Sequence, residues 1–282
     1  MAAVRLNAHG GEVASGPAAG LRARARRRHG EAWLTTTPLP ADAEPAGPQA
    51  RALADLLLAV GEAALADGAV AVHWETDEPE ALVDPVATAS GLDERRDVLL
   101  LRRSLPLATG DLDATRPVPV RPLRPGSLDE EAWVRCNNRA FAGHPDQGRE
   151  TVASLRSAMV EPWFDPAGFL LVDGTPGVDA GGHLDGYCWT KVHPATATEP
   201  ETGEIYVIGV DPSAGGRGLG RSLVVAGLTH LADRGTTQGL LYVDADNVAA
   251  RRLYERLGFT PAHTRRVRSH RPGAPSRSQA TE

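Results

Sequence analysis

The sequence is poor in cysteine and in lysine. Its 282 residues include two cysteines, Cys136 and Cys188, which lie far apart and show no spacing typical of a metal site. We therefore expect two reduced, buried thiols and no bound metal. Of the 30 basic residues, Lys191 is the only lysine and the other 29 are arginines. Because an ammonium and a guanidinium make different hydrogen bonds, Lys191 is a candidate functional residue.

Long apolar runs and an excess of positive charge are also missing. No stretch approaches the roughly 18 consecutive apolar residues of a membrane-spanning helix, and the first residues lack the apolar core of a signal peptide. The net charge of -6 argues against a protein that binds nucleic acid through basic patches. We expect a cytoplasmic monomer whose partner is a small molecule and neither a membrane nor a nucleic acid.

The length suits one large domain or two moderate ones, and a hydrophobic content of 41% is enough for a real core. Residues 1–35 show no clear periodicity, and the clearest element of the first half is a helix at 48–68. In the second half strands alternate with helices, which predicts an α/β fold with a mixed sheet flanked by helices. The segment from about 265 is polar and rich in Pro, Gly and Ser, which predicts a disordered tail.

A glycine cluster follows one of the predicted strands. The stretch VIGVDPSAGGRGLG, residues 207–220, runs from an apolar strand through Asp-Pro into glycines at the start of a predicted helix. Unpaired N–H groups and the helix dipole make such a turn a site for anions, and Arg217 adds a cationic side chain. The P-loop pattern fails because its lysine is missing, and the dinucleotide pattern fails because Arg221 stands where its last glycine should be. The loop therefore predicts a phosphate or pyrophosphate site of another kind.

Two motifs resemble the GNAT acyl-CoA N-acetyltransferases. VIGVDPSAGGRGLGRSLV is similar to motif A of that family, whose loop holds the pyrophosphate of coenzyme A, and LLYVDADNVAARRLYERLGF is similar to its motif B. The resemblance implies the GNAT fold and acetyl-CoA as co-substrate. The sequence departs from the family at Gly215, where Gln or Arg is usual, so one side-chain contact to coenzyme A is missing. The positions that match motif B are Asn247, Ala250, Tyr254, Gly258 and Phe259.

Longer stretches resemble one branch of that family, the mycothiol synthases. NNRAFAGHPDQG, EPWFDPAGFLL, WTKVHP and GEIYVIGVDP, together with motif B, cover most of 118–260, and VHWETDEPEAL with VLLLRRSLP is similar to that branch's first repeat. The resemblance implies transfer of acetyl from acetyl-CoA to the cysteinyl amine of a cysteinyl-glucosaminyl-inositol, which gives mycothiol. It also implies a catalytic GNAT domain at 118–264. Residues 1–117 would be a shortened, degenerate GNAT-like domain that lacks the glycine-rich loop and is non-catalytic, and 265–282 a disordered tail.

Acetyl transfer to an amine needs a base for the ammonium, a polarised thioester and a stabilised thiolate leaving group. Glu204 heads the strand EIYVIGV at the edge of a predicted cleft, and the resemblance places the general base there. Tyr254 follows Asn247 by seven residues, about two helical turns, and the resemblance gives it the role of protonating the sulfur of coenzyme A. On position alone, Glu204 could equally be an exposed carboxylate at a strand start, and Tyr254 a core aromatic.

The other predicted site residues bind the two substrates. The strand at 204–211 matches the family's strand whose backbone amides pair with the peptide-like pantetheine arm. The resemblance places the acceptor, a polyol that needs hydrogen-bonding side chains, at Asp146, Lys191, Glu204 and Tyr242. The predicted cofactor-binding residues are Ile208, Gly209, Val210, Gly215, Gly216, Arg217, Gly218, Leu219, Gly220, Arg221, Asn247, Val248, Ala249, Ala250, Arg251 and Arg252.

Two other functions stay open on sequence grounds. One is a GNAT enzyme that acts on another amine, such as a peptide N-terminus or an aminoglycoside. The other is a CoA-binding scaffold without catalysis, which Gly215 and the shortened first half suggest and which the intact Glu204 and Tyr254 oppose. His144 and His193 show no partners that indicate a metal, and we expect both in loops.

Overall fold

The chain forms two compact units in the computed structural model. The structure describes residues 4–7, 10–13, 19–28, 30–144, 147–174, 182–197 and 200–272. The N-terminal unit comprises residues 1–100, 243–248 and 263–282, and the central unit comprises residues 101–242 and 249–262. The predicted domain boundaries, 1–117 and 118–264, remain a prediction from sequence. The two units are defined by contacts within the structure, and they assign residues 263–282 to the N-terminal unit.

The N-terminal unit contains a meander of strands followed by two helices. Strands β1 to β4 pair antiparallel in sequence order, and α1 then returns the chain so that β5 runs parallel to β4, with Ala32 opposite Val72. The last strand, β12, pairs antiparallel with β5. The elements are β1 (Val4–Asn7), β2 (Gly10–Val13), β3 (Arg22–Arg28), β4 (Glu31–Thr36), α1 (Pro48–Ala66), β5 (Val72–Thr76), α2 (Glu80–Ala89), β6 (Glu94–Ser104), which continues into the central unit, and β12 (Thr260–His270), whose residues from 263 belong here.

Helices α1 and α2 pack on one face of these strands. Leu56 of α1 and Val83 of α2 are buried with Leu34 and Trp74, which share a face because they lie in register on parallel strands. The apolar spacing that predicted α1 is therefore the spacing of its buried side. Residues 265–270, which the sequence assigned to a disordered tail, form the end of β12, so that part of the prediction is wrong.

The central unit carries the fuller α/β pattern. Its strand order is β7-β8-β9-β10-β11, in which the first four pair antiparallel and β11 runs parallel to β10 after the crossover through α6. The predicted mixed sheet is thus confirmed. The elements are α3 (Thr109–Asp113), β7 (Arg121–Pro122), α4 (Asp129–Ala140), α5 (Val152–Met159), β8 (Phe169–Asp173), β9 (Leu184–His193), β10 (Thr202–Val210), α6 (Leu219–Asp233), β11 (Gln238–Asp244) and α7 (Val248–Arg256).

The two faces of β9 meet different helices. Cys188 faces α6, because a Cβ at Gly227 of that helix would lie 2.5 Å from the Cys188 sulfur, so glycine permits the close approach. Trp189 faces the other way, where the ring of Trp133 of α4 meets it edge-on at 6.0 Å between centroids. Lys191 and His193 follow Trp189 at intervals of two and so share its face.

Candidate active site

Strand β10 leaves its neighbour β11 partway along its length. The parallel pairing covers Gly203 to Ile205 and ends there, although β10 continues to Val210. On its other side β10 stays paired with β9 to Val210, with a shift of register between Ile205 and Val207. A bulge of this kind bends a strand and increases its twist, which accounts for the separation. We call residues 203–210 and the gap beside them the fork; from Val207 to Val210 its open edge has no strand partner among the described residues.

Glu204 lies at the closed end of the fork. It stands opposite Lys191 on β9 and opposite Leu240 on β11, and it is 6% exposed. Its Oε2 lies 2.6 Å from Nε2 of His193, whose side chain is 40% exposed. A buried carboxylate depends on such a hydrogen bond for its stability. His193 is the last residue of β9, so the expectation of a loop histidine is wrong.

The face that carries Glu204 also carries a lysine set against aromatic rings. The Nζ of Lys191 lies 4.6 Å from the ring centroid of Trp163 and 5.3 Å from that of Tyr206. The two rings are 5.0 Å apart, and Tyr206 is 39% exposed. Sequence reasoning did not single out Trp163 or Tyr206, although both lie in stretches quoted for the family resemblance. Cation–π contact of this kind holds an ammonium while leaving its N–H groups able to donate.

Asp211 closes β10 and starts the glycine loop. Its carboxylate accepts hydrogen bonds from the Ser213 backbone N–H at 3.0 Å and from Nε of Arg139 at 2.6 Å. Burial by itself would raise the pKa of Asp211, but the hydrogen bonds from Ser213 and Arg139 hold it below its ordinary value. The loop therefore begins from an anchored, ionised side chain.

The glycine loop ends in two residues that need the left-handed conformation. Gly216 has φ 75° and Gly218, the N-cap of α6, has φ 77°, a region that residues with a side chain rarely adopt. Residues 215–218 are exposed, and α6 begins without a side-chain cap. Its first N–H groups are therefore turned toward solvent at the positive end of the helix dipole, which suits an anion.

The two arginines of the loop have different partners. One Nη of Arg217 lies 3.2 Å from a carboxylate oxygen of Asp185, and the side chain is 61% exposed. Arg221 turns toward α3, where its Nε donates to the Thr115 hydroxyl at 2.8 Å and an Nη to the Asp111 carbonyl at 3.4 Å. Arg217 is thus the more accessible of the two, and Arg221 also ties α6 to α3.

Tyr254 lies on α7 and is 6% exposed. Its ring meets Phe259 edge-on at 5.8 Å between centroids, so it does pack in the core. Burial raises the pKa of its hydroxyl well above the ordinary value, and the nearby Cys188 contributes in the same direction. Helix α7 packs beside α6, since a Cβ at Gly220 of α6 would lie 3.7 Å from Leu253 of α7. Tyr254 therefore lies on the α6 face of the sheet, opposite to the face of Glu204.

The remaining predicted residues fall in several places. Ile208, Gly209 and Val210 lie on the open part of β10, where a Cβ at Gly209 would come within 2.7 Å of the Tyr187 ring. Tyr242, 41% exposed, lies on β11 two residues beyond Leu240 and so on the face of Glu204. Asp146 lies outside the described residues. Asn247 and Val248, which is the first residue of α7, belong to the N-terminal unit. The next four residues of α7 belong to the central unit; they are Ala249, Ala250, Arg251 and Arg252.

Two kinds of feature are absent from the part of the chain that the structure describes. No group of three or more His, Cys, Asp or Glu residues in that part of the chain could hold a metal ion. None of its helices combines the length and the apolar character needed to cross a membrane.

Comparison with known proteins places this fold in a known class. A family model described as "Acetyltransferase (GNAT) family" matches residues 131–259. A GCN5-related N-acetyltransferase from Sphaerobacter thermophilus superposes with a TM-score of 0.66 at 24% identity, covering 96% of this chain and 83% of that chain. Saccharomyces cerevisiae N-myristoyltransferase, solved with bound myristoyl-CoA, superposes with a TM-score of 0.53 at 11% identity, covering 95% and 67%. The fold is that of the GNAT acetyltransferases, which confirms the prediction from sequence.

Curated relatives narrow the class further. A mycothiol acetyltransferase from Kocuria rhizophila is 44% identical over 203 residues, which is 71% of this chain and 65% of the relative. One from a Nocardioides species is 43% identical over 223 residues, which is 76% of this chain and 75% of the relative. The chain belongs to the mycothiol acetyltransferase family. It spans between 56% and 65% of the length of four of the relatives it matches.

Proposed function

We propose that this protein transfers acetyl from acetyl-CoA to the cysteinyl amine of a cysteinyl-glucosaminyl-inositol, which forms mycothiol. The observation that carries the proposal is the fork. A buried carboxylate lies at its closed end, Val207 to Val210 have no strand partner on the β11 side, and an exposed glycine loop follows the open end. Relatives 43% to 47% identical that are named mycothiol acetyltransferases support the acceptor. Because it consumes acetyl-CoA, we place the reaction in the cytoplasm, and we propose that a monomer carries it out.

The fork fits the shape of coenzyme A. Its pantetheine arm contains two amides and can pair with the β10 edge at Ile208 to Val210 as a strand would. The pyrophosphate then meets the N–H groups of residues 215–220 and the dipole of α6. Arg217 supplies a cation in place of the side chain that Gly215 lacks. We assign Arg221 a weaker part, because α3 already holds its guanidinium. A contribution from residues 247–252 stays a prediction.

The acetyl group is proposed to react in the gap of the fork, between Glu204 on one face of the sheet and Tyr254 on the other. Glu204 takes a proton from the acceptor ammonium on one face, and the neutral amine attacks the thioester carbonyl. Tyr254, on the other face, gives its proton to the sulfur as the carbon–sulfur bond breaks, and it regains one from the nitrogen of the collapsing adduct. The raised pKa of Tyr254 keeps the phenol neutral and able to donate. The balance is ammonium plus thioester to amide plus thiol and one released proton.

The acceptor is proposed to lie on the Glu204 face. Lys191 can donate to hydroxyl groups of the glucosaminyl-inositol, and the rings of Trp163 and Tyr206 offer flat walls for the sugar. Tyr242 adds a phenol on the same face of β11. Asp146 stays in the proposal through the family resemblance. A surface with several hydrogen-bonding groups suits a polyol better than it suits a charged peptide.

Mass spectrometry of the reaction tests the proposal. The protein is mixed with acetyl-CoA and the cysteinyl-glucosaminyl-inositol, and N-acetylated product and free coenzyme A are measured together. We expect both to form at equal rates, and Glu204→Gln to serve as the control for uncatalysed transfer. A peptide N-terminus and an aminoglycoside are run in parallel. Faster transfer to either would replace the acceptor, and acetyl-CoA binding without any transfer would indicate a scaffold.

A further inference from the structure

The partner of the proposed base is a histidine at the protein surface. The Glu204 side chain is 7% exposed and the His193 side chain 40%, and they meet at 2.6 Å. The two residues reach each other because β9 and β10 pair with Glu204 opposite Lys191 and Thr202 opposite His193. All four side chains therefore point to one face of the sheet. His193 spans the distance from the buried carboxylate to water.

The chemistry of acetyl transfer creates a need for such a link. Each turnover releases one proton, and the proposed mechanism delivers it to Glu204. A buried carboxylic acid must lose that proton before the next turnover, and the carboxylate must keep one orientation to receive another. While Glu204 is protonated, its O–H donates to the unprotonated Nε2 of a neutral imidazole, and transfer of the proton gives an imidazolium. The ring then loses its Nδ1 proton to water, which leaves an Nε2–H that donates to the Glu204 carboxylate. Proton exchange between the exposed ring and water restores the first tautomer for the next turnover.

We propose that His193 is a positioning residue for Glu204. His193 fixes the orientation of the Glu204 carboxylate and carries the proton of Glu204 to solvent. This inference rests on the proposed function. His193 need not touch either substrate, because it acts through Glu204. The contact is neither a strand-pairing bond nor a surface ion pair, since one partner is buried and the bond is short.

Other polar groups face the pair from the neighbouring strands. On β9 Lys191 lies directly opposite Glu204, but its Nζ contacts the rings of Trp163 and Tyr206. Tyr206 follows Glu204 on β10, and Tyr242 follows Leu240 on β11. A phenol is a poor proton acceptor, so neither tyrosine offers a route for the proton of Glu204. Among the described residues on this face, His193 is therefore the proposed proton acceptor, because its ring nitrogen lies 2.6 Å from the Glu204 carboxylate.

Substitution of His193 separates a relay from a structural contact. A glutamine at 193 can still donate a hydrogen bond to Glu204 but cannot carry a proton. We expect His193→Gln to lower kcat by roughly tenfold and to leave the KM values for acetyl-CoA and the acceptor within twofold. We also expect the pH profile of kcat to differ from that of the wild type, because the proton must then leave Glu204 by another route. In His193→Ala, added imidazole should restore kcat in proportion to its concentration.

A second histidine offers a matched control. His263 in the N-terminal unit lies 2.9 Å from Asp77 and is 39% exposed, so His263→Gln removes a similar pair outside the proposed site. We expect this variant to keep the wild-type kcat and pH profile. The inference is overturned if His193→Gln keeps both as well, or if imidazole fails to restore His193→Ala.

The wild-type acceptor assay keeps the two proposals apart. Turnover of the cysteinyl-glucosaminyl-inositol supports the proposed function, and the His193 variants then judge the inference alone. Turnover of a different amine overturns the proposed acceptor, and the same variants measured on that amine still judge His193. Transfer to no amine overturns both proposals, because Glu204 then has no proton to pass on.

Discussion

Glu204 combines burial, a short hydrogen bond and a place at the closed end of the fork. These features distinguish it from an ordinary carboxylate at the start of a strand, which would be exposed to water. Glu204→Gln keeps the shape and one hydrogen bond but cannot accept a proton. We expect kcat near neutral pH to fall by about a hundredfold or more, with little change in acetyl-CoA affinity. Steady-state kinetics and calorimetric titration check this, and activity close to wild type would exclude Glu204 as the base.

Tyr254 has both a structural and a proposed chemical role, and they reside in different atoms. The ring packs against Phe259, whereas the hydroxyl is the proposed acid. Tyr254→Phe removes only the hydroxyl, so we expect the fold and acetyl-CoA binding to persist while kcat falls by roughly ten- to a hundredfold. Circular dichroism and single-turnover kinetics separate the two roles. Loss of folded protein in this variant would show that the hydroxyl is needed for the core.

At the scale of the element, the glycine loop depends on backbone conformation more than on side chains. An alanine at Gly218 would meet no atom within 4 Å, so its cost comes from the left-handed φ of 77° alone. We expect Gly218→Ala to lose about 1–2 kcal/mol of stability and to bind acetyl-CoA roughly tenfold more weakly, because the first N–H groups of α6 turn away.

The other end of α6 provides the control for this substitution. Gly235 has φ 91° and equally open surroundings. Gly235→Ala should therefore show a similar loss of stability with unchanged affinity for acetyl-CoA. Equal affinities in both variants, measured by calorimetry, would remove the loop from the cofactor site.

The sequence predicted those elements that depend on the order of residues along a short stretch of chain. The glycine loop, α6 and the strand that precedes them were predicted because Asp-Pro, glycines and an apolar period follow one another along the chain. The alternation of β3, in which Ala23 is buried between exposed arginines, was also present in the sequence, but its arginine-rich composition concealed it. The contact between Glu204 and His193 could not be read from the sequence, because it depends on the register of β9 against β10 and on the bulge after Ile205.

At the scale of the whole molecule, the C-terminal strand returns to the N-terminal unit. Arg268 of β12 is 1% exposed and pairs with Asp84 at 3.2 Å and with Asp97 at 2.8 Å. Because a buried charge without partners is costly, we expect Asp84→Asn combined with Asp97→Asn to lose about 3–5 kcal/mol. Arg268→Met should lose less, since the carboxylates left behind are partly exposed.

Urea unfolding followed by circular dichroism measures these losses. The exposed pair of Arg22 and Glu12, 3.5 Å apart, serves as the control, and Arg22→Ala should change stability by less than about 1 kcal/mol. If the double variant unfolds at the same urea concentration as this control, the buried network does not stabilise the N-terminal unit.

The fork also has a consequence for what can enter the sheet. Paired strands lie about 4.8 Å apart, and a guest strand needs roughly twice that spacing between its two neighbours. Where β10 separates from β11, the distance between the two strands starts at about 4.8 Å and increases along β10. Near Glu204 the gap is therefore too narrow for a polypeptide with side chains. A slender, unbranched arm with amides but no side chains can follow β10 further toward that end. The gap beside this strand edge therefore selects a ligand by its width. For the same reason it disfavours pairing between this edge and a strand of another protein.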